Sequence, residues 1–174
     1  MMQKITSTEQ IESALIRQLF DYWQSKCRDG AIPRRADIDP SEIPKLMPNL
    51  LIVDIEHNPF RVRYRLVGTR IVQVTGFEFT GKYLDEMILD DDEGPFLESY
   101  QVASESKTPV LSRIKWHLDA TTTSEYDACF LPLSDDGETV NMVLSIECYE
   151  NVEREFTLLG PRRFLPARKK SDNE

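Results

Sequence analysis

The side chains able to do chemistry are few and scattered. There are two histidines, His57 and His117, and three cysteines, Cys27, Cys129 and Cys148. No two of them stand at the short spacing from which a zinc or transition-metal site is built. The acidic run Asp90, Asp91, Asp92 and Glu93 lacks the alternating ligands and the turn glycine of a calcium loop. It reads as a solvated loop. Nucleophilic catalysis needs a serine or cysteine beside a base and a group that orients the base. The chain has no GxSxG elbow and no P-loop, and GFEFTG (76–81) lacks the spacing of a dinucleotide fingerprint. The expectation is no metal site, no catalytic residue and no enzyme. A paired-carboxylate acid/base site stays open, with nothing in the spacing to indicate one.

What the residue types do offer is a binding site. Tyr64, Trp116, Tyr126 and Phe130 fall on the faces of expected strands, and Thr69 follows a glycine at a strand end. Aromatic walls with a few polar handles make a small-ligand cavity; the same rings serve equally well as core filling. Arg65 and Arg113 would suit a ligand carboxylate, but the alternation of their strands turns both outward.

These residues need elements to position them. Ser7 or Thr8 can cap a helix, and Ile11, Leu15, Ile16, Leu19, Tyr22 and Trp23 follow at three- and four-residue spacing. That pattern predicts an amphipathic helix of about five turns within residues 1–29, ended by Gly30 and Pro33. Its stripe has to be buried on the domain itself or on a second copy. Ile11, Leu15, Leu19, Tyr22 and Trp23 are therefore the candidate interaction residues. Residues 30–48 carry Pro33, Pro40, Pro44 and Pro48 and read as an extended connector.

Residues 49–150 form the expected core. LLIVDIE (50–56) and FRVRYRLVG (60–68) read as a hairpin, the second strand turning Phe60, Val62, Tyr64 and Leu66 to one face. Thr69 caps a short helix through Val74, helical turns follow near 82–88, and Pro95 starts a longer helix through Ser106. Strands at 110–118, 124–133 and 139–149 finish the unit. Asp135-Asp136-Gly137 turns the last pair. The final strand sets Val140, Met142, Leu144, Ile146 and Cys148 on one face, and no carboxylate is expected among the inward positions. Segregated helices and strands predict an α+β fold, a five-stranded antiparallel sheet with a helical crossover on one face and a flanking N-terminal helix. Residues 151–174 form a basic tail (Arg162, Arg163, Arg168, Lys169, Lys170), partly disordered by expectation.

The net charge of −9 disfavours nucleic acid as a partner. An odd number of cysteines outside any CxxC fits a reducing compartment. The N-terminus lacks a signal-peptide pattern, and no run approaches 18 apolar residues. A cytoplasmic protein without a transmembrane segment is expected.

Two strands, a helical crossover and three strands is the order of a PAS domain. The resemblance sharpens on particular residues: Tyr22-Trp23, the connector PRRADIDP (33–40), then Arg65-Leu66-Val67-Gly68-Thr69 with Gly76 and Thr80-Gly81. Together these resemble short bacterial single-domain PAS-type proteins over about residues 18–150. The resemblance implies a sensor or adaptor that holds a small apolar or amphipathic ligand, or a hydrophobic plug, between sheet and crossover. It would signal through its flanking helix, as a homodimer or on a protein partner. Haem in PAS domains is typically held by a histidine on the longer helix, and 94–106 has none. Flavin photochemistry in PAS relatives uses a crossover cysteine, and none lies between Cys27 and Cys129. Both cofactors are accordingly disfavoured. The alternatives are a small enzyme with a ketosteroid-isomerase-like cone, which would need a carboxylate or histidine on the inner face, and a purely structural interaction module.

Overall fold

The alternating, β-branched segments form strands, as a half-buried pleated surface favours. In the computed structural model, which describes residues 1–86, 93–117 and 123–149, the strands are β1 (Met2–Lys4), β2 (Leu50–His57), β3 (Phe60–Val67), β4 (Val110–His117), β5 (Thr123–Leu133) and β6 (Met142–Cys148). They make one sheet in the order β1-β4-β5-β6-β2-β3, every neighbouring pair antiparallel. The sheet is the expected α+β one with a sixth strand. β1 pairs Met2 with Ser112 and Lys4 with Val110. Three residues are too short for an alternation to show, so nothing in the sequence announced it.

The helices are α1 (Ala14–Lys26), α2 (Thr69–Thr75) and α3 (Glu93–Ser106). The expected long first helix is divided. Ser7 and Gln10 cap each other around a single turn at Thr8–Gln10, Ile11 lies in an extended link, and Ser13 caps α1 by accepting from the Ile16 N–H.

Both faces of the sheet are covered. On the outer face Ile16, Leu19, Phe20 and Trp23 of α1, with Ile11 and the connector residues Ile38, Ile43 and Leu46, pack on Leu50, Ile52, Leu131, Leu144 and Ile146. The Trp23 indole N–H donates to the Pro132 carbonyl at 2.9 Å. Tyr22 sits at the rim, half-buried, donating its hydroxyl to the Glu42 carboxylate at 2.8 Å and accepting from the Asp39 N–H. Leu15 is half-buried too. Of the two burials open to this stripe, the domain itself and a second copy, Ile11, Leu19 and Trp23 take the first: they are buried within the chain because the sheet's outer face is itself apolar.

On the inner face Val62, Tyr64, Ile71, Phe79, Tyr100, Ala103, Ile114, Tyr126, Ala128 and Phe130 form a second cluster under the crossover. Backbone hydrogen bonds from the Tyr64 N–H to Lys82 and from the Gly81 N–H to Tyr64 (2.9 and 2.6 Å) tie the crossover to β3. A β-bulge corrects the alternation expected for β3. Ile52 pairs with Leu66 but Val53 pairs with Tyr64, leaving Arg65 as the extra residue. Val62 and Tyr64 therefore face inward while Leu66 packs on the outer cluster. Arg65 reaches Asp54 at 2.7 Å and Arg113 reaches Asp127 at 2.8 Å, both on the exposed side.

The strand-to-helix step after β3 depends on Gly68. Gly68, not Thr69, is the residue that precedes the first turn of α2, and its N–H donates to the Leu50 carbonyl at 2.8 Å. A Cβ at Gly68 would stand 2.2 Å from the Pro48 carbonyl oxygen and 2.8 Å from that of Met47. Because the obstacle is backbone, Gly68→Ala is expected to destabilise by about 2–3 kcal/mol. A urea midpoint within error of wild type would show that the 47–49 turn yields freely. The acidic residues 90–92 and the basic tail of 151–174 lie outside the described residues.

Candidate functional site

On β6, Leu144, Ile146 and Cys148 point to the outer layer, so the period of two sends Val143, Ser145 and Glu147 inward, followed by Tyr149. Covered on both sides, the strand has no solvent face. Ser145 is fully buried and Glu147 only 6% exposed. This corrects the expectation that no carboxylate faces inward, and supplies the feature that an isomerase-like site would need.

In register across the sheet, Glu147 stands beside Ala128, which stands beside Ser112. The sheet row next to the carboxyl thus carries small side chains. From α3, Ser99 Oγ meets Ser112 Oγ at 2.7 Å, and Tyr100 reaches Ser145 Oγ at 3.3 Å. The Tyr149 hydroxyl donates to the Glu147 carboxylate. Rings complete the layer. Tyr126 and Tyr149 lie 4.8 Å apart, Tyr100 and Phe130 meet edge-on at 4.8 Å, and Tyr64 and Phe79 do so at 4.6 Å. Ser104 Oγ, one helical turn beyond Tyr100, is buried with no hydrogen-bond partner.

Burial dominates the electrostatics. Desolvation pushes the Glu147 carboxyl up to about 7, against the Tyr149 hydrogen bond, which lowers it. Burial also raises Tyr64, Tyr126 and Tyr149 well above the ordinary phenol value, and raises Tyr100. Four of the chain's six tyrosines are therefore neutral donors around one carboxyl that changes charge near neutrality. Such a cluster can receive the polar end of a ligand or bind and release one proton. Among the described residues no group of three or more His, Cys, Asp or Glu is placed to hold a metal ion.

Of the residues singled out from sequence, Tyr64, Tyr126 and Phe130 are buried together on the inner face. Thr69 is not among them: it opens α2 on the exposed side, because Gly68 takes the position at the strand end. Trp116 lies in β4, its backbone in register with Ser124. The sequence reading missed Glu147, Tyr149, Tyr100 and Ser145. A signal for Glu147 was present. Residues 128–133 are apolar on both alternations, Ala128, Phe130 and Pro132 against Cys129, Leu131 and Leu133, a sign that this strand and its neighbour β6 are covered on both sides.

A sequence profile of the PAS domain family matches residues 11–146. No curated protein matches by sequence. Solved structures similar to the chain include a light-oxygen-voltage domain whose mechanism was probed with a flavin analogue (14% identity, 68% of this chain and 90% of that chain, TM-score 0.48). Others are an RNA-binding light-oxygen-voltage receptor (11%, 76% and 40%, 0.47) and a fungal light-oxygen-voltage photoreceptor (15%, 82% and 99%, 0.46). Beside these structures the expectation that disfavoured flavin is corrected, because its ground was too narrow. The lack of a cysteine between Cys27 and Cys129 bears on cysteine-adduct photochemistry alone, not on holding a flavin. On this chain's inner face the rings of Tyr64, Tyr100, Tyr126 and Phe130 pack together, so a flavin seated there would take the place of some of them. Among the described residues no helix is long and apolar enough to cross a membrane. The matched profile spans most of the chain, over the very sheet and crossover just described: the chain belongs to the PAS domain family.

Proposed function

We propose that this protein is a non-enzymatic PAS-type sensor that takes a small amphipathic ligand on the inner face of its sheet and reports through association with a protein partner. Residues 49–150 are the ligand-taking core in this reading, with α1 and the connector 30–48 as its outer cover. The observation that carries the reading is the polar cluster of Glu147, Tyr149, Tyr100 and Ser145 inside an otherwise apolar layer. Burying a carboxyl there costs stability, and such costly groups concentrate at functional sites.

The same strand offers a route outward. Ser145 and Glu147 alternate on β6 with Leu144 and Ile146, which pack in the outer cluster with α1. A shift of the strand on ligand binding therefore reaches α1 directly. The net charge of −9 supports a protein rather than a nucleic-acid partner, and three free thiols support a reducing cytoplasm. A proton-transfer enzyme of the ketosteroid-isomerase kind is the second reading, favoured by Glu147 alone.

Native mass spectrometry of the protein purified gently from its own host tests the proposal. One stoichiometric extra mass per chain is the expected result. A clean apo spectrum under those conditions counts against a ligand sensor and for an adaptor whose core is its own plug.

A further inference from the structure

Glu147 raises a question of charge balance. A buried carboxyl is ordinarily paired with a cation or kept protonated, because an isolated buried charge is costly. Among the described residues no lysine, arginine or histidine reaches it. The titratable groups that face it are the phenols of Tyr149, Tyr126, Tyr64 and Tyr100. One of these, Tyr149, donates to a carboxyl oxygen, a bond that favours the ionised form against the larger cost of desolvation. The phenol rings add faces of negative electrostatic potential, to which cations are attracted, most strongly where water is excluded. Beside the carboxyl the sheet row is Ala128 and Ser112, capped by Ser99, all small.

Building on the small-ligand reading of this face, we infer that its ligand is a small organic cation, an ammonium group on an apolar or aryl body. The ammonium pairs with Glu147 over Ala128, and the body lies against the rings of Tyr126 and Tyr149. A neutral ligand of the same shape forgoes the ion pair, and an anion is repelled. Because free Glu147 is partly protonated near neutrality, the cation displaces its proton. Affinity therefore rises with pH until Glu147 is fully ionised, which predicts binding about thirtyfold weaker at pH 5.5 than at pH 8.

Calorimetric titration of the full chain with phenethylamine, 2-phenylethanol and 3-phenylpropionate separates the cases by charge at nearly constant shape. The amine should bind at least tenfold more tightly than the alcohol at pH 8, with the stated pH dependence and with proton release near pH 6.5. Glu147→Gln, which keeps the volume and removes the charge, should cost the amine at least tenfold and change the alcohol by no more than about threefold. Equal or tighter binding of the alcohol or the carboxylate overturns the cation assignment while leaving the small-ligand reading intact. Amine binding unchanged in Glu147→Gln overturns it as well. Binding by none of the three overturns it too, and the extra mass in the native spectrum then decides the ligand reading separately.

Discussion

Glu147→Gln is expected to make this protein more stable above neutral pH, by about 3 kcal/mol at pH 8. The folded carboxyl titrates at about 7 and an unfolded one near 4.5, the difference arising from burial. Below about pH 4.5 both states hold the proton. Between the two values the unfolded chain has lost its proton while the folded chain keeps it, so the folded state binds more protons and stability falls as pH rises. Above 7 the loss is complete, and a gap of this width corresponds to about 3 kcal/mol. Glutamine cannot ionise, so the variant lacks this component of the pH dependence and keeps a hydrogen-bond acceptor for Tyr149. Urea midpoints of both proteins at pH 5 and pH 8 measure it. If the two proteins lose stability in parallel between those values, Glu147 is not the buried titrating group described here.

Trp23→Ala is expected to cost about 3–5 kcal/mol. The ring fills the junction of α1 with β5 and donates to the Pro132 carbonyl, which truncation would leave buried without that donor. A chain starting at residue 28 should not fold, since Leu50, Ile52, Leu131, Leu144 and Ile146 would all lose their cover. Leu15→Ala and Tyr22→Ala, at the half-buried rim, should cost distinctly less. The contrast separates two roles for the helix. Were it an interface, Trp23→Ala would leave the unfolding midpoint nearly unchanged and alter the molecular mass seen by light scattering instead.

The strands β2 to β6, the order of elements and the helix α3 were legible because period-two and helical patterns reflect burial directly, and the residues of Tyr22-Trp23, 33–40 and 65–81 carried the family. Three features were hidden for identifiable reasons. β1 is shorter than one full alternation. The bulge at Arg65 adds a residue without changing composition, so Leu66 was assigned to the face of Tyr64. Glu147 was lost because the opposite alternation of its strand, Leu144, Ile146 and Cys148, is the more apolar one and was taken for the inner face. That choice assumes a sheet wet on one side. The outer face is dry because α1 and the connector lie on it, and that packing brings together segments more than a hundred residues apart. Tyr64, Tyr126 and Phe130 were legible as rings of the inner face, but their polar companions were not read with them, since a serine or a glutamate in a strand does not by itself mark the layer it faces; only the neighbouring strand's pattern does.

The sheet order also bears on how the chain is made. β6 lies between β5 and β2, and β1 waits for β4, whose partner residues are about a hundred positions downstream. During synthesis α1 and the β2–β3 hairpin leave the ribosome with their apolar sides unmet until residue 148 has emerged. Pairings so distant along the chain slow folding and prolong exposure of sticky surface. Nascent chains of this protein should therefore stay sensitive to protease and bound by chaperone until residue 148 has emerged, then become resistant in a single step once β6 closes the sheet.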